Sequence, residues 1–400
     1  MNLLSFLLSS ILLTWLYVTK KPTHPVEFFG HKPPSLARVE YDAGVWTAND
    51  ILSTAVKIRH DPPLLSAETA FVRGSDCQVY ATDARGIIWS LAKNHSSFTP
   101  YAVTGGTLLG GDVDTTSGAL YVCDSTHGLL RVPPDPSQSH TELVSVALTS
   151  DPLNEITYCD DVHVSGDGKV YFTSASKLTP QRFMHSRVAD TFATYVSDNI
   201  LGSPSGRVLM YDPDKRETTQ IAEGIAFANG IAVHPSGDYA LVAESNTLKI
   251  LKVWLRGNRR GTKETLVELP GIPDGVSYDA VGNRFWITLY APVVPAALLV
   301  QRLPAFVRRI LVDIPPRIIS PSTPGSIVAA IDGDTGAVIE QFGDPSKQLG
   351  LVAAAHRCGD HLWLGILHGT SIARFSLPVG AKSSSIGSSR ASKHGIREEL

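Results

Sequence analysis

One short pattern recurs six times between Leu65 and Leu377: a turn containing Gly or Asp, a run of alternating apolar and β-branched residues, then a second turn. The copies are Gly74-Ser-Asp-Cys-Gln-Val-Tyr80, Ser117-Gly-Ala-Leu-Tyr121, Gly166-Asp-Gly-Lys-Val-Tyr171, Ser236-Gly-Asp-Tyr-Ala240, Val281-Gly-Asn-Arg-Phe285 and Gly359-Asp-His-Leu362. Their intervals are irregular, about 40 to 80 residues. Short strands between turns, repeated at that spacing, predict an all-β, six-bladed β-propeller. Each four-stranded blade then buries its faces only against its neighbours. A jelly roll or a lipocalin-like barrel has no need of six copies of one strand–turn unit. The 400-residue chain, 43% hydrophobic, has ample material for such a core, and its 33 Gly and 26 Pro suit many tight turns.

A net charge of −3 with both signs well mixed provides no basic field, so no nucleic-acid partner is expected. Cys77, Cys123, Cys159 and Cys358 show no CxxC or Cys/His spacing, which argues against zinc. One disulfide in an exported chain and four reduced, buried thiols both fit the sequence, and spacing alone does not pair them.

Residues 1–21 are expected to form an N-terminal membrane anchor helix. Leu3 to Val18 is apolar apart from Ser and Thr, and Lys20 and Lys21 follow it. That is near the lower length limit for a spanning helix. A cleaved signal peptide is the rival reading, but no small-residue cleavage pattern follows, and Trp15 and Tyr17 suit a membrane interface. Residues 22–64 read as a linker and propeller entry segment, ahead of a propeller over 65–377. Within it, the apolar stretch 291–319 carries arginines at 302, 308, 309 and 317. It reads either as an amphipathic insertion on a membrane or beside a binding cleft, or as a loop helix packed on the propeller. The Ser-rich, charged tail 378–400 is expected to be disordered.

Aligning the repeats on Tyr80, Tyr121, Tyr171, Ala240, Phe285 and Leu362, and counting back eleven positions (twelve in the first), gives Glu68, Gly110, Asp160, Asn229, Asp274 and Leu351. Equivalent positions at the start of innermost propeller strands face one central point. Pseudo-symmetry thus gathers Glu68, Asp160, Asn229 and Asp274 around the axis. Three converging carboxylates repel one another unless a cation neutralises them. Calcium fits best: it accepts many oxygen ligands without octahedral geometry, and the absence of Cys and His disfavours zinc and copper. The plainer alternative is that polar residues simply favour loops before strands.

Several segments resemble the strictosidine synthase-like group, to which adipocyte plasma membrane-associated proteins belong. They are Tyr171-Phe-Thr-Ser-Ala-Ser, Gly206-Arg-Val-Leu-Met-Tyr-Asp-Pro, Glu217-Thr-Thr, Phe227-Ala-Asn-Gly-Ile-Ala-Val, Ala243-Glu-Ser and Lys252-Val-Trp-Leu-Arg-Gly. Paraoxonases and gluconolactonases are more distant relatives. The resemblance covers about Leu65 to Leu377 and is densest over residues 160–290. It implies a six-bladed propeller and, as in the hydrolytic relatives, an axial calcium held at Glu68, Asp160, Asn229 and Asp274. Relatives commonly carry Asn where this chain has Asp160, and a second Asn where it has Gly275. Strictosidine synthesis itself is not expected. The synthase uses a glutamate in its last blade, and the matching stretch Leu349 to His356 (LGLVAAAH) has no acid.

The implied activity is calcium-dependent hydrolysis of a small apolar ester or lactone, of arylesterase or lactonase type. Asp274 is the candidate base. His127, in Asp124-Ser-Thr-His-Gly, lies near a histidine that paraoxonases use, although a plain turn role fits it better. No G-x-S-x-G elbow is present. The alternative is a non-catalytic, calcium-stabilised propeller that binds lipid or a protein partner. Membrane contact is expected through the N-terminal helix, with 291–319 as a second contact. Topology signals conflict. Lys20 and Lys21 favour a cytosolic propeller, while the retrieval-like Arg397-Glu-Glu-Leu400 and the glycosylation acceptor Asn94-His-Ser96 favour a lumenal one. The expected arrangement is single-pass, with a lumenal or extracellular propeller in the endoplasmic reticulum or secretory pathway.

Overall fold

The computed structural model describes residues 39–40, 42–137, 141–181, 188–292, 300–312 and 325–378. Six four-stranded antiparallel sheets surround one axis, giving the expected all-β propeller. The innermost strands are Ala70–Arg73, Leu108–Val113, Cys159–Val164, Ala228–Val233, Gly271–Asp279 and Leu351–Cys358. The last of these packs against the first and closes the ring. Five blades use four strands in chain order. The sixth takes its outer strand from Val56–Arg59, which pairs with Ser371–Arg374. The outer strand of the last blade therefore comes from the stretch 22–64, expected to be linker and propeller entry segment.

All six recurring units fall at one place, the hairpin from innermost to second strand. Second strands such as Leu120–Asp124, Val170–Ser174 and Tyr239–Glu244 are buried at every residue, because blades cover both of their faces. Alternation appears only farther out, as in Phe98–Val103. The core is divided into layers between successive blades. Phe71, Tyr80, Leu120 and Val122 form one such layer, each worth about 1.5–3 kcal/mol when fully buried.

The four cysteines form two disulfides, Cys77–Cys358 and Cys123–Cys159, and none is free. This corrects the expectation of one bridge or none. Cys77 and Cys358 are 281 residues apart in sequence and meet only because the ring closes. A bridge closing so long a loop stabilises by roughly 5 kcal/mol in the chain-entropy picture.

Among the described residues, two α-helices sit outside the blades, each inserted between the second and third strands of its sheet. Helix α1 (Thr191–Leu201) belongs to the third blade. The Asp190 side chain accepts from the Ala193 N–H at its start, and Gly202, at φ 65°, ends it in the left-handed conformation. Helix α2 (Ala305–Leu311) belongs to the fifth. Its Arg308, 3% exposed, donates to the carbonyls of Ile200 and Leu201, placing a cation at the C-terminal end of α1. Leu178, Ile200, Leu201 and Val312 pack between them. Within 291–319, whose residues 300–312 are described, the helix Ala305–Leu311 thus packs on another helix. The rest of that insertion beyond Pro292, the segment Leu3–Val18 with Lys20 and Lys21, and the tail from 379 lie outside the described residues. Among the described residues no helix is long and apolar enough to cross a membrane.

Candidate metal centre

The innermost strands do not run straight into the axis. Pairing with the second strand slips near the start of each, at Leu108/Gly111, Cys159/Val162, Ala228/Ile231, Pro273/Val276 and Val352/Ala354. Such a bulge re-aims a side chain. In the first blade the same place is Glu68-Thr69, just ahead of the strand. Glu68, Asp160, Asn229 and Asp274 occupy these positions in four blades, and all four line one axial cavity. In the second and sixth blades the register puts Leu109 and Ala353 there, rather than Gly110 and Leu351. A fixed count fails because hairpin lengths differ: Val164 pairs with Val170, but Cys358 pairs with His361. Neither residue adds a side-chain oxygen, so the donor set stays at four.

Each bulge is held by the blade before it. Thr82, Thr173 and Thr288, in second strands, donate from Oγ1 to the carbonyls of Leu109, Asn229 and Ala353 at 2.9, 2.8 and 2.6 Å. At the matching place the second blade has Cys123, bridged to Cys159 beside Asp160. The sixth has Gly365, where a Cβ would stand 1.9 Å from the Glu68 carbonyl oxygen. Ser245 Oγ donates to the Pro273 carbonyl at 2.7 Å, next to Asp274.

Burial, and then the neighbouring carboxylates, push Glu68 and Asp160 well above the usual carboxylate range. Asp274 is pushed up to about 7, by burial first; an Asn229 hydrogen bond opposes the rise and Asp161 adds to it. Asp161, behind them, also stands at about 7 through burial, although it accepts from the Ile231 and Val162 N–H groups at 3.0 and 2.9 Å. Among the described residues, every charge that shifts Glu68, Asp160 and Asp274 is another carboxylate, and no Lys or Arg offsets them. Among the described residues no group of three or more His, Cys, Asp or Glu forms a ready-made metal cluster. The fit rests instead on the donor set: three buried, unopposed carboxylates and an amide, all oxygen ligands, suit a hard divalent cation.

Above this floor the cavity opens into a cup walled by Tyr158, Phe192, Tyr195, Phe227, Tyr290 and Leu367. Tyr158 and Tyr195 meet Phe227 edge-on at 5.4 and 5.0 Å. The Tyr158 hydroxyl donates to the Thr191 carbonyl at 3.2 Å, and the rings of Tyr195 and Tyr290 meet nearly perpendicular at 6.1 Å. Helix α1 supplies Phe192 and Tyr195. Neither was legible in sequence, because an insertion between strands carries no repeat and no motif.

His127 lines neither part of the cavity. It sits in the turn after Leu120–Asp124, 41% exposed, with Nδ1 3.1 Å from Asp124 Oδ2. His368 lies nearer, its ring 5.2 Å from Phe192, and burial lowers its pKa. The inner strand of the sixth blade contributes Ala353, Ala354, Ala355 and His356 to the axis and no acid. Asn94 is exposed in a turn of the first blade, its Oδ1 accepting from Ser96 Oγ at 2.7 Å.

The strictosidine synthase family model matches residues 160–258, the third blade and the three inner strands of the fourth. The chain is 28% identical over 269 residues to Protein STRICTOSIDINE SYNTHASE-LIKE 13 of Arabidopsis thaliana, covering 66% of this chain and 59% of that one. It thus spans less than two thirds of that relative's length. Adipocyte plasma membrane-associated protein of Danio rerio is 26% identical over 406 residues, covering 94% of this chain and 89% of its own. Among solved structures, a gluconolactonase of Xanthomonas campestris superposes with a TM-score of 0.56 at 14% identity, covering 90% and 99% of the two chains. A calcium-binding protein, regucalcin, of Agrobacterium tumefaciens gives 0.52 at 13%, covering 80% and 93%. These likenesses bear out the resemblance read from the sequence, and the solved structures show the fold.

Proposed function

We propose that this strictosidine synthase-like propeller is a calcium-dependent hydrolase of small apolar esters or lactones. The observation that carries the reading is the floor of the cup, where Glu68, Asp160, Asn229 and Asp274 bring four oxygen donors from four blades together with no cation among the described residues to balance them. These residues would hold the ion. When bound, calcium would polarise the substrate carbonyl and stabilise negative charge forming on its oxygen. The aromatic wall binds the apolar part of the substrate and keeps bulk water out. Asp274 is the candidate base, suited to take a proton from the attacking water at a carboxylate oxygen that calcium leaves free. The water oxygen then bonds to the carbonyl carbon, the ester C–O bond breaks, and the leaving oxygen takes up a proton. The gluconolactonase and the calcium-binding regucalcin support the class of reaction and the ion.

Two disulfides and an exposed Asn94 favour an oxidising compartment, so the propeller is assigned to the lumenal or extracellular side, with residues 1–21 as its anchor. The relative named for the adipocyte plasma membrane supports membrane association. The test is hydrolysis of phenyl acetate and a lactone panel, with and without chelator. Turnover should vanish on chelation and fall about 100-fold or more in Glu68→Gln. Activity that survives complete chelation contradicts the proposal. A panel without any turnover favours the non-catalytic, calcium-stabilised propeller.

A further inference from the structure

We infer that the Cys123–Cys159 disulfide positions Asp160 and thereby sets the calcium affinity of the axial floor. The inference rests on the calcium centre of the hydrolase reading. Each of the four donors follows a residue that is tied to the blade before it. Ala67, ahead of Glu68, accepts from the Ile366 N–H of the sixth blade at 2.7 Å and forms a strand bridge with the same residue. Ala228, ahead of Asn229, donates from its N–H to the Ala175 carbonyl of the third blade at 3.3 Å. Pro273, ahead of Asp274, accepts from Ser245 Oγ of the fourth at 2.7 Å. Cys159, ahead of Asp160, is held differently: its tie to the second blade is covalent.

The same bridge takes the place of a hydroxyl. Thr82, Thr173 and Thr288, which donate to the next blade's bulge, also accept at Oγ1 from an N–H of their own. Those donors are Thr69, Asp161 and Gly275, at 3.2, 3.1 and 2.9 Å. Cys123 stands opposite the bulge of the second blade in the corresponding place. Its sulfur lies 3.6 Å from the Asp161 carbonyl oxygen, but a bridged sulfur has no proton to donate. The bond to Cys159 is thus what the second blade offers the third instead of a threonine clip. Charge makes such a tie useful. Asp160, 3% exposed, shares the floor with Glu68 and Asp274, and repulsion among ionised carboxylates pushes it away from the axis. A hydrogen bond yields to that push more readily than an S–S bond does. The covalent tie keeps the floor in shape before the ion arrives, and a site that needs no rearrangement binds more tightly. Both sulfurs are fully buried, so the bridge is a fixed part of the floor and not a reducible switch.

Stabilising the chain is the competing role, and the other disulfide is the control for it. Cys77–Cys358 spans 281 residues against 36, so in the chain-entropy picture its loss costs more stability. It joins the inner hairpins of the first and sixth blades, at the far end of the innermost strands from the floor. Calorimetric calcium titrations compare wild type, Cys123→Ala/Cys159→Ala and Cys77→Ala/Cys358→Ala below the melting temperature of all three. The first pair should weaken calcium binding about 10- to 100-fold. The second should lower the melting temperature at least as much and leave the affinity unchanged. An unchanged affinity in the first pair, or an equal loss in both pairs, overturns the inference and leaves the calcium centre intact. If the first pair does not fold, Cys123→Val with Cys159→Ala refills the space and is read in the same way. A wild type that takes up no calcium overturns the calcium centre, and this inference with it.

Discussion

Two clusters of buried acid in this molecule are built in opposite ways. Between the fifth and sixth blades, Asp279 accepts from Arg284 Nε at 3.1 Å, Arg357 Nη1 at 2.8 Å, Trp286 Nε1 at 3.2 Å and two backbone N–H groups. Burial alone would raise its pKa. The hydrogen bonds from Arg357, the Gly282 N–H and Arg284 outweigh that, and its carboxyl is held below the usual range. On the axis, Asp160 and Asp274 are likewise buried and Glu68 is half-buried, and among the described residues the charges that shift them are other carboxylates, so their pKa values rise. The first cluster is complete within the protein and belongs to the fold. The second is left with excess negative charge, which folding alone does not reward. That asymmetry separates a structural charge network from a cation site.

The largest expected effect lies in the complete cluster. Asp279→Ala leaves Arg284 and Arg357 buried without their shared carboxylate and should cost about 3–5 kcal/mol, equally in calcium and in chelator. Denaturant titration in both conditions checks it; a loss that calcium repairs would break the distinction.

Acidity should pull the two clusters apart. The axial carboxylates have raised folded pKa values, so the folded state binds protons more tightly than the unfolded chain. In chelator, stability should therefore rise by roughly 2 kcal/mol as pH falls from about 8 through 7 towards 5. Asp279 has a depressed value. Its contribution is present above the unfolded pKa near 4 and is lost as pH falls below that. Protons and calcium compete for the same oxygens, so calcium affinity should weaken as pH falls through 7. Melting temperatures across pH 4–8 provide the readout, and a chelated protein that loses stability steadily from pH 8 downward would contradict the axial assignment.

Glu68→Gln removes one charge from the incomplete cluster. It should raise stability in chelator by about 1 kcal/mol through lost repulsion, while removing most of the calcium response. A variant less stable than wild type in chelator would count against repulsion there. The smallest effect is expected at Thr173→Val, which removes the clip on the Asn229 carbonyl. About 1 kcal/mol of stability and a few-fold in calcium affinity should be lost, measurable by calorimetric titration.

Sequence disclosed the ring and most of the floor because both rest on local chemistry. Each hairpin from innermost to second strand needs a tight turn, so Gly, Asp and Asn mark it six times. The donors lie a nearly constant count before it. The count slipped at Leu109 and Ala353, where hairpin length changes while the bulge stays in place. What stayed hidden depends on ring closure or on insertions. Val56–Arg59 becomes a blade strand only by pairing with Ser371–Arg374, and Cys77 meets Cys358 the same way. Phe192 and Tyr195 reach the cup on a helix whose sequence shows no periodic link to the blades.

The most direct test of the axial site is the melting temperature of the full-length purified protein in excess calcium and in excess chelator. A ligand that binds only the folded state adds about 2.7 kcal/mol at a concentration 100 times its Kd. Calcium should therefore raise the melting temperature of the wild type clearly. The rise should be lost in Asp274→Ala, which removes a donor from the floor. A wild type that melts at the same temperature in calcium and in chelator would contradict a calcium centre on this axis.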